Sequence, residues 1–71
     1  MKADNEFTAA RRASGITQAK AAEMCGLSKP TYCLRENNPE EFRLAELKDL
    51  YAHMNTRGRM LLKEGIGSLF L

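Results

Sequence analysis

The segment that decides the fold spans residues 17–36 and reads TQAKAAEMCGLSKPTYCLRE. Thr17 is a suitable N-cap, because its hydroxyl can accept a hydrogen bond from a free amide of the first helical turn. The alanine-rich run that follows has strong helix propensity. Gly26 stands where the chain must leave this helix, and glycine adopts the left-handed conformation of such ends without a steric clash. Ser28 can cap a second helix, whose first turn tolerates Pro30. These parts predict two short helices joined by a tight turn, a helix-turn-helix.

Four short pieces of this region carry a family resemblance. They are Gly15-Ile16-Thr17-Gln18, Ala21-Ala22, Cys25-Gly26-Leu27-Ser28 and the closing Glu36. Together they resemble the lambda-type repressor and Cro family of small DNA-binding domains, and the connection through Asn37-Asn38-Pro39 is similar to that of small phage and prophage regulators. The resemblance implies an all-α fold of five short helices. It also implies a transcriptional regulator that binds operator DNA as a dimer, with its third helix in the major groove.

The third helix, expected from Lys29 to about Asn37, carries the expected DNA contacts. At helical spacing one arc of it holds Lys29, Pro30, Cys33, Leu34 and Asn37, whereas Tyr32 is the natural core anchor. The resemblance implies that this arc faces the bases and that Gln18, one helix earlier, grips a phosphate. The expected phosphate contacts are Gln18, Lys20, Ser28, Lys29 and Asn37, and the expected base-facing residues are Lys29, Pro30, Thr31, Cys33 and Leu34.

Two further side chains of this region have expected partners or surroundings. The resemblance implies that Arg11 of the first helix pairs with Glu36 at the end of the third, and the alternative is two independent surface charges. Arg35 stands where members of the family often bury an apolar residue. We expect its stem to pack beside Tyr32 and its charged head to reach water.

The rest of the chain predicts three more helices. Helix 1 is expected from about Glu6 to Ser14, with a cap at Asp4 or Asn5, and helix 4 from residue 43 or 44 to Met54. Residues 1–54 are therefore predicted to form the helix-turn-helix DNA-binding domain, and residues 55–71 a C-terminal helix. Its apolar residues predict a homodimer or partner interface; they are Met60, Leu61, Leu69, Phe70 and Leu71. The alternative is that this tail folds back over helices 1 and 4.

Composition limits the possible classes of protein. The 71 residues suit one small domain, and 44% apolar with 28% charged residues is ordinary for a globular chain. No apolar run reaches the length of a membrane span, and the polar start of the chain does not suit a signal peptide, so we expect a cytoplasmic protein. Cys25, Cys33 and His53 are too few for a four-ligand zinc site. With no nucleophile triad, carboxylate pair or cofactor motif, we expect neither an enzyme nor a cofactor.

Charge is unevenly distributed along the chain. The net charge is only +2, yet residues 10–38 hold five basic and two acidic side chains, residues 39–54 two basic and four acidic, and residues 55–71 three basic and one acidic. Basic residues on the helix-turn-helix and the tail are compatible with double-stranded DNA as the partner, whereas charge alone favours the alternative of an ordinary mixed, solvated surface. A second interpretation remains open, because Pro30, Cys33 and Leu34 make an apolar arc that equally suits a protein surface. The chain would then be a protein-binding modulator that sequesters a repressor or inhibits a nuclease such as a CRISPR nuclease.

Overall fold

The computed structural model describes residues 5–70, and within them the fold is all-α. Its elements are α1 (Glu6–Ala13), α2 (Gln18–Cys25), α3 (Lys29–Asn37), a 3₁₀ turn (Pro39–Glu41), α4 (Leu44–His53) and α5 (Thr56–Ser68). The five predicted helices are confirmed. Helices α1, α3 and α4 begin and end within one residue of their expected positions, and α5 covers residues 56–68 of the predicted 55–71. Among residues 5–70 no helix combines the length and the hydrophobicity that crossing a bilayer requires.

Side-chain caps explain where four of the five helices begin. Asn5, Thr17, Ser28 and Asn55 each accept a hydrogen bond from the amide three residues later, at 2.8 to 3.3 Å. Asn5 is the cap of α1, whereas Asp4, the other residue expected there, lies outside the described residues. The start of α4 is different, because the amide of Arg43 donates to the carboxylate of Glu46 at 3.0 Å. This bond is one half of a capping box.

The connection between α2 and α3 has the predicted geometry. Gly26 ends α2 with φ of 70°, a left-handed conformation that glycine adopts at low cost. Leu27 then packs against the core, and Ser28 is the N-cap of α3. Pro30 falls in the first turn of α3, where the missing amide proton breaks no helical hydrogen bond.

The core is built from residues of α1, α2, α4 and α5 together with Tyr32 of α3. Its buried apolar members are Phe7, Ala10, Ile16, Ala21, Ala22, Tyr32, Leu50, Met54 and Leu62. Phe42 closes the base of this core, since its ring stacks on Phe7 with centroids 5.5 Å apart and meets the edge of Tyr32 at 6.0 Å. The expectation that Tyr32 anchors α3 is therefore confirmed, and its burial turns the opposite side of α3 outward.

Helix α5 packs along α1 in the same small body. Leu62 is fully buried, and Gly58 and Gly65 let the two backbones approach closely. An ideal Cβ on Gly65 would lie 2.9 Å from the Phe7 ring, and one on Gly58 would lie 2.9 Å from the Ala10 carbonyl oxygen.

The predicted interface residues of this helix are only partly covered by α1 and α4. Met60, Leu69 and Phe70 are 50%, 41% and 84% exposed, and Leu61 is half-buried. Leu71 lies outside the described residues. The inward side of α5 thus folds back over helix 1, while several apolar residues of its other sides stay open to solvent.

Candidate nucleic-acid interface

The inner side of α3 is held to α1 by a buried ion pair. Nε of Arg11 donates to Oε2 of Glu36 at 2.6 Å, and the two side chains are only 7% and 4% exposed. Arg11 also donates through Nη1 to the carbonyl oxygen of Ile16 at 2.9 Å, and Thr8 donates its hydroxyl to Glu36 at 3.0 Å. Because these bonds are directional, they fix both the distance and the angle between α1 and the end of α3.

The charge of Glu36 is stabilised by its neighbours. Burial alone would raise its pKa, but hydrogen bonds from Arg11, Tyr32 and Thr8 bring the pKa below its ordinary value. The same contact has the opposite effect on Tyr32, whose pKa is raised by burial and by the adjacent carboxylate. Glu36 is therefore ionised and Tyr32 neutral at physiological pH, and the hydroxyl can act as a donor.

A second ion pair holds α3 to α4, and the sequence did not predict it. Nε of Arg35 donates to Oε1 of Glu46 at 3.2 Å, with the side chains 18% and 7% exposed. Arg35 was expected to hold its charged head in water, but Nε is paired with Glu46, which also caps α4, and the side chain keeps only 18% exposure. The one sequence signal for Glu46 is that it lies three positions after Arg43, where the glutamate of a capping box is found.

The outer side of α3 faces solvent. Lys29, Pro30 and Asn37 are exposed, Leu34 is 61% exposed, and Cys33 is half-buried. This is the arc that the sequence placed outward. The arc offers one cation, Lys29, and one amide, Asn37. Its other side chains, Pro30, Cys33 and Leu34, form no strong hydrogen bonds.

Two of the expected DNA contacts are already engaged within the protein. Thr31 is half-buried, and its hydroxyl oxygen lies 2.9 Å from that of Ser28. The Ser28 hydroxyl in turn accepts from the Thr31 amide as the cap of α3. These hydroxyls stabilise the first turn of α3, and Lys29 beside them makes no ion pair with the described residues.

The start of α2 lies one helix earlier in the chain and contributes two polar side chains. Gln18 is half-buried in the first turn, and Lys20 is exposed and pairs with Glu23 at 3.1 Å. Such an exposed pair is weak, so the Lys20 ammonium can exchange Glu23 for another anion at little cost. Gln18 and Lys20 lie in the first turn of α2, which is the positive end of the helix dipole.

The far end of α3 is acidic and apolar in character. Glu40 and Glu41 are exposed in the 3₁₀ turn that follows it. A shallow depression of about 350 Å³ lies beside this end and is lined by Leu34, Arg35, Asn38 and Glu41. Carboxylates here would repel phosphates, so an anion is favoured only near the Lys29 end of the helix.

The two cysteines occupy different environments. Cys25 packs against the core, with Sγ 3.7 Å from the carbonyl oxygen of Glu46, and burial raises its pKa to about 11 with smaller contributions from Glu46 and Asp49. It is therefore an unreactive thiol near neutral pH.

No group of three or more histidine, cysteine or acidic side chains able to hold a metal ion occurs within residues 5–70.

Comparison of the chain with known protein families, with curated proteins and with solved structures finds no match. The resemblance to lambda-type repressors and Cro therefore depends on the residues of the chain alone, and any function must be argued from them and from the geometry above.

Proposed function

We propose that α2 and α3 form a DNA-binding helix-turn-helix and that the protein is a transcriptional regulator of the phage repressor and Cro type. The observation that carries the proposal is the two-sided character of α3. One buried ion pair, one partly buried ion pair and Tyr32 fix its inner side, while the arc from Lys29 to Asn37 is left open. A rigidly held helix with one open side is what reading a major groove requires.

The proposed contacts divide into phosphate contacts and base contacts. Gln18 and Lys20 lie at the positive end of α2 and are assigned to phosphate, together with Ser28. Asn37, the other predicted phosphate contact, lies at the acidic end of α3, where the carboxylates of Glu40 and Glu41 disfavour a phosphate. Lys29 can reach a phosphate or the O6 and N7 acceptors of guanine. The remaining base-facing residues are Pro30, Thr31, Cys33 and Leu34, of which Leu34 offers the largest apolar contact to a thymine methyl.

Two copies would occupy the halves of a palindromic operator, with their third helices about 34 Å apart. Repression would follow from overlap of such a site with a promoter, in the cytoplasm. Self-association through the exposed residues of α5 stays a prediction. Sedimentation of the full chain tests it, since Leu62 is part of the core and a chain cut before α5 would lose that core contact.

The test is binding to DNA from the protein's own locus as salt is varied. Affinity should fall steeply with salt, each neutralised phosphate contributing about 0.9 to the log-log slope. Lys29→Ala should weaken binding about tenfold and lower that slope by about one, as expected for a lost phosphate or guanine contact. Arg57→Ala is the matched control, because it removes a cation that is also exposed, from the first turn of α5. Absence of any shifted DNA at about 50 mM salt would overturn the proposal.

A second candidate function is favoured by the apolar arc of α3 and the acidic turn after it. Leu34 is 61% exposed beside Pro30 and Cys33, and Glu40 and Glu41 follow. Such a surface suits a protein partner, for example a repressor or a nuclease that the chain would inhibit. Leu34→Arg separates the two functions, because the added charge should strengthen non-specific DNA binding but disrupt an apolar protein contact.

A further inference from the structure

A groove opens between α4 and the end of α5, on residues that the proposed DNA contacts do not use. It has a volume of about 360 Å³ and is bordered by the 3₁₀ turn. Its apolar lining consists of Phe42, Leu44, Leu47, Ile66, Leu69 and Phe70. Leu44 and Phe70 are 72% and 84% exposed, so they stand at its edge. We call this surface the α4–α5 groove.

Exposed apolar side chains are concentrated at this groove. Five large apolar residues are exposed within residues 5–70, and three of them, Leu44, Leu69 and Phe70, line it. Leaving such a cluster in water is costly, at roughly 25 cal/mol for each Å² of apolar surface. The concentration at one concave place indicates a binding surface, because singly scattered apolar residues would need no such explanation.

Positive charge continues the same surface toward the other end of α4. The Tyr51 ring lies under the guanidinium of Arg59 at 4.8 Å and near the Lys63 ammonium at 5.6 Å. Arg59 is fixed there, because its Nε donates to the Tyr51 carbonyl oxygen at 2.9 Å. Lys48 lies on α4 between Leu44 and Tyr51, at the spacing that puts all three on one side of the helix.

We propose that the α4–α5 groove binds an amphipathic helix of another protein, with an apolar anchor residue in the groove and a carboxylate facing Lys63 beside Tyr51. The charged residue that lines the groove itself is Glu40, but the surface beyond it toward Tyr51 is basic, since no carboxylate of α4 shares the side that carries Leu44, Lys48 and Tyr51. This basic extension argues for an acidic residue on the partner. Leu44 and Tyr51 are seven residues apart, which at 1.5 Å per residue is about 10 Å or two helical turns. The partner's anchor and its Asp or Glu should therefore also be about two turns apart.

The edges of the groove also give the partner a direction. Glu40 borders the groove at the Phe42 end, whereas Arg59 and Lys63 lie at the Tyr51 end. A bound helix would place its carboxylate toward Tyr51 and any basic residue toward Glu40. With Leu69 and Phe70 assigned to this groove, self-association is left to Met60 and Leu61.

The experiment is a selection of displayed helical peptides against the full chain, followed by fluorescence anisotropy of the enriched peptides as synthetic probes. We expect enrichment of an apolar residue with Asp or Glu about two turns away. Leu44→Asp should weaken these peptides at least tenfold, and the change should leave folding intact because an acidic residue at the start of α4 suits the helix dipole. Lys63→Glu should weaken them similarly and should favour the same peptides with Lys in place of Glu.

Arg57→Glu is the matched control, since it makes the same charge change on α5 in its first turn, away from Tyr51. It should leave peptide affinity unchanged, and Leu44→Asp should leave DNA binding unchanged, so this proposal and the DNA-binding proposal fail separately. Three results would overturn it: no enriched helix, enriched helices without an acidic residue, or enriched helices insensitive to Leu44→Asp. Self-association of the chain, or binding to vesicles containing phosphatidylglycerol, would also overturn it if Leu44→Asp abolished either one.

Discussion

Helix α1 meets its two neighbours through contacts of opposite chemistry. Toward α3 it presents Arg11 and Thr8, both bonded to the carboxylate of Glu36. Toward α5 it presents Phe7 and Ala10, against which glycines allow close approach. The contact with α3 depends on charge and on the direction of hydrogen bonds. The contact with α5 depends on the small size of the glycine residues.

The difference follows from what each neighbour has to do. A polar contact is no stronger than a well-packed apolar one, but it holds one geometry, because a hydrogen bond weakens quickly with angle and distance. The proposed reading helix, α3, has this kind of contact on both of its sides. Helix α5 mainly covers the core, and for that close packing is sufficient.

The largest expected effect comes from breaking the polar contact. Glu36→Gln should lower the free energy of unfolding by about 3–5 kcal/mol, because it leaves the charge of Arg11 buried without a counter-ion. Urea denaturation measures this. Glu23→Gln is the control, since its pair with Lys20 is 74% and 62% exposed and should contribute at most about 1 kcal/mol. Equal losses in the two variants would contradict the distinction between the contacts.

The size-dependent contact should be broken by a single methyl group. Gly58→Ala places a Cβ against Ser14 and close to the Ala10 carbonyl oxygen, and overpacking of this kind costs about 1–3 kcal/mol. Gly67→Ala is the matched control on the same helix, because nothing lies within 4 Å of its Cβ. That change should stabilise the protein by up to about 1 kcal/mol through helix propensity. Thermal unfolding of both variants separates the two effects, and destabilisation by Gly67→Ala would contradict the assignment.

The second polar contact of α3 should show measurable coupling. A double-mutant cycle with Arg35→Ala and Glu46→Ala should give an interaction energy of about 0.5–2 kcal/mol. The value should be smaller than for Arg11 and Glu36, because Arg35 is 18% exposed. Glu46→Ala alone should cost more than Arg35→Ala, since it also removes the cap of α4. A cycle without coupling would mean that the pair adds nothing to the position of α3.

At moderately low pH acid should weaken the polar contact by a smaller amount than Glu36→Gln does, because the lowered pKa of Glu36 keeps part of its population ionised. The folded state lowers the pKa of Glu36 and of Glu46. Their contribution to stability is therefore complete above the unfolded pKa and is lost as pH falls through the folded pKa. Stability of the wild type should decline below about pH 4.5, and Glu36→Gln should show a shallower decline. Parallel pH profiles would count against an ionised Glu36.

Most helix ends and the core position of Tyr32 could be predicted because their causes are local, whereas the burial of Leu62 was not predicted. Thr17, Ser28 and Asn55 cap the helices that follow them, and Gly26 ends α2 in the expected conformation. Helical spacing predicts the burial of Tyr32 and the exposure of the opposite arc for the same reason.

Contacts between distant parts of the chain were predicted less completely. The pair of Arg35 with Glu46 depends on how α4 is placed after the turn at Pro39, which no local signal specifies. The close contact of Gly65 with Phe7 also depends on tertiary packing, since sequence alone shows only a gap in the apolar side of α5. The assignment of DNA contacts stays a prediction, because it concerns a partner that the fold itself does not specify.

The adjacency of Arg35 and Glu36 has a consequence for how many ways α3 can pack. Neighbouring residues on a helix point about 100° apart, so these two opposite charges reach Glu46 on one side and Arg11 on the other. If α3 rotated so that Glu36 took the place of Arg35, Glu36 would face Glu46. If it rotated so that Arg35 took the place of Glu36, Arg35 would face Arg11. Either rotation brings like charges together and leaves another charged side chain without a counter-ion. The order of these two residues therefore disfavours rotated packings of α3.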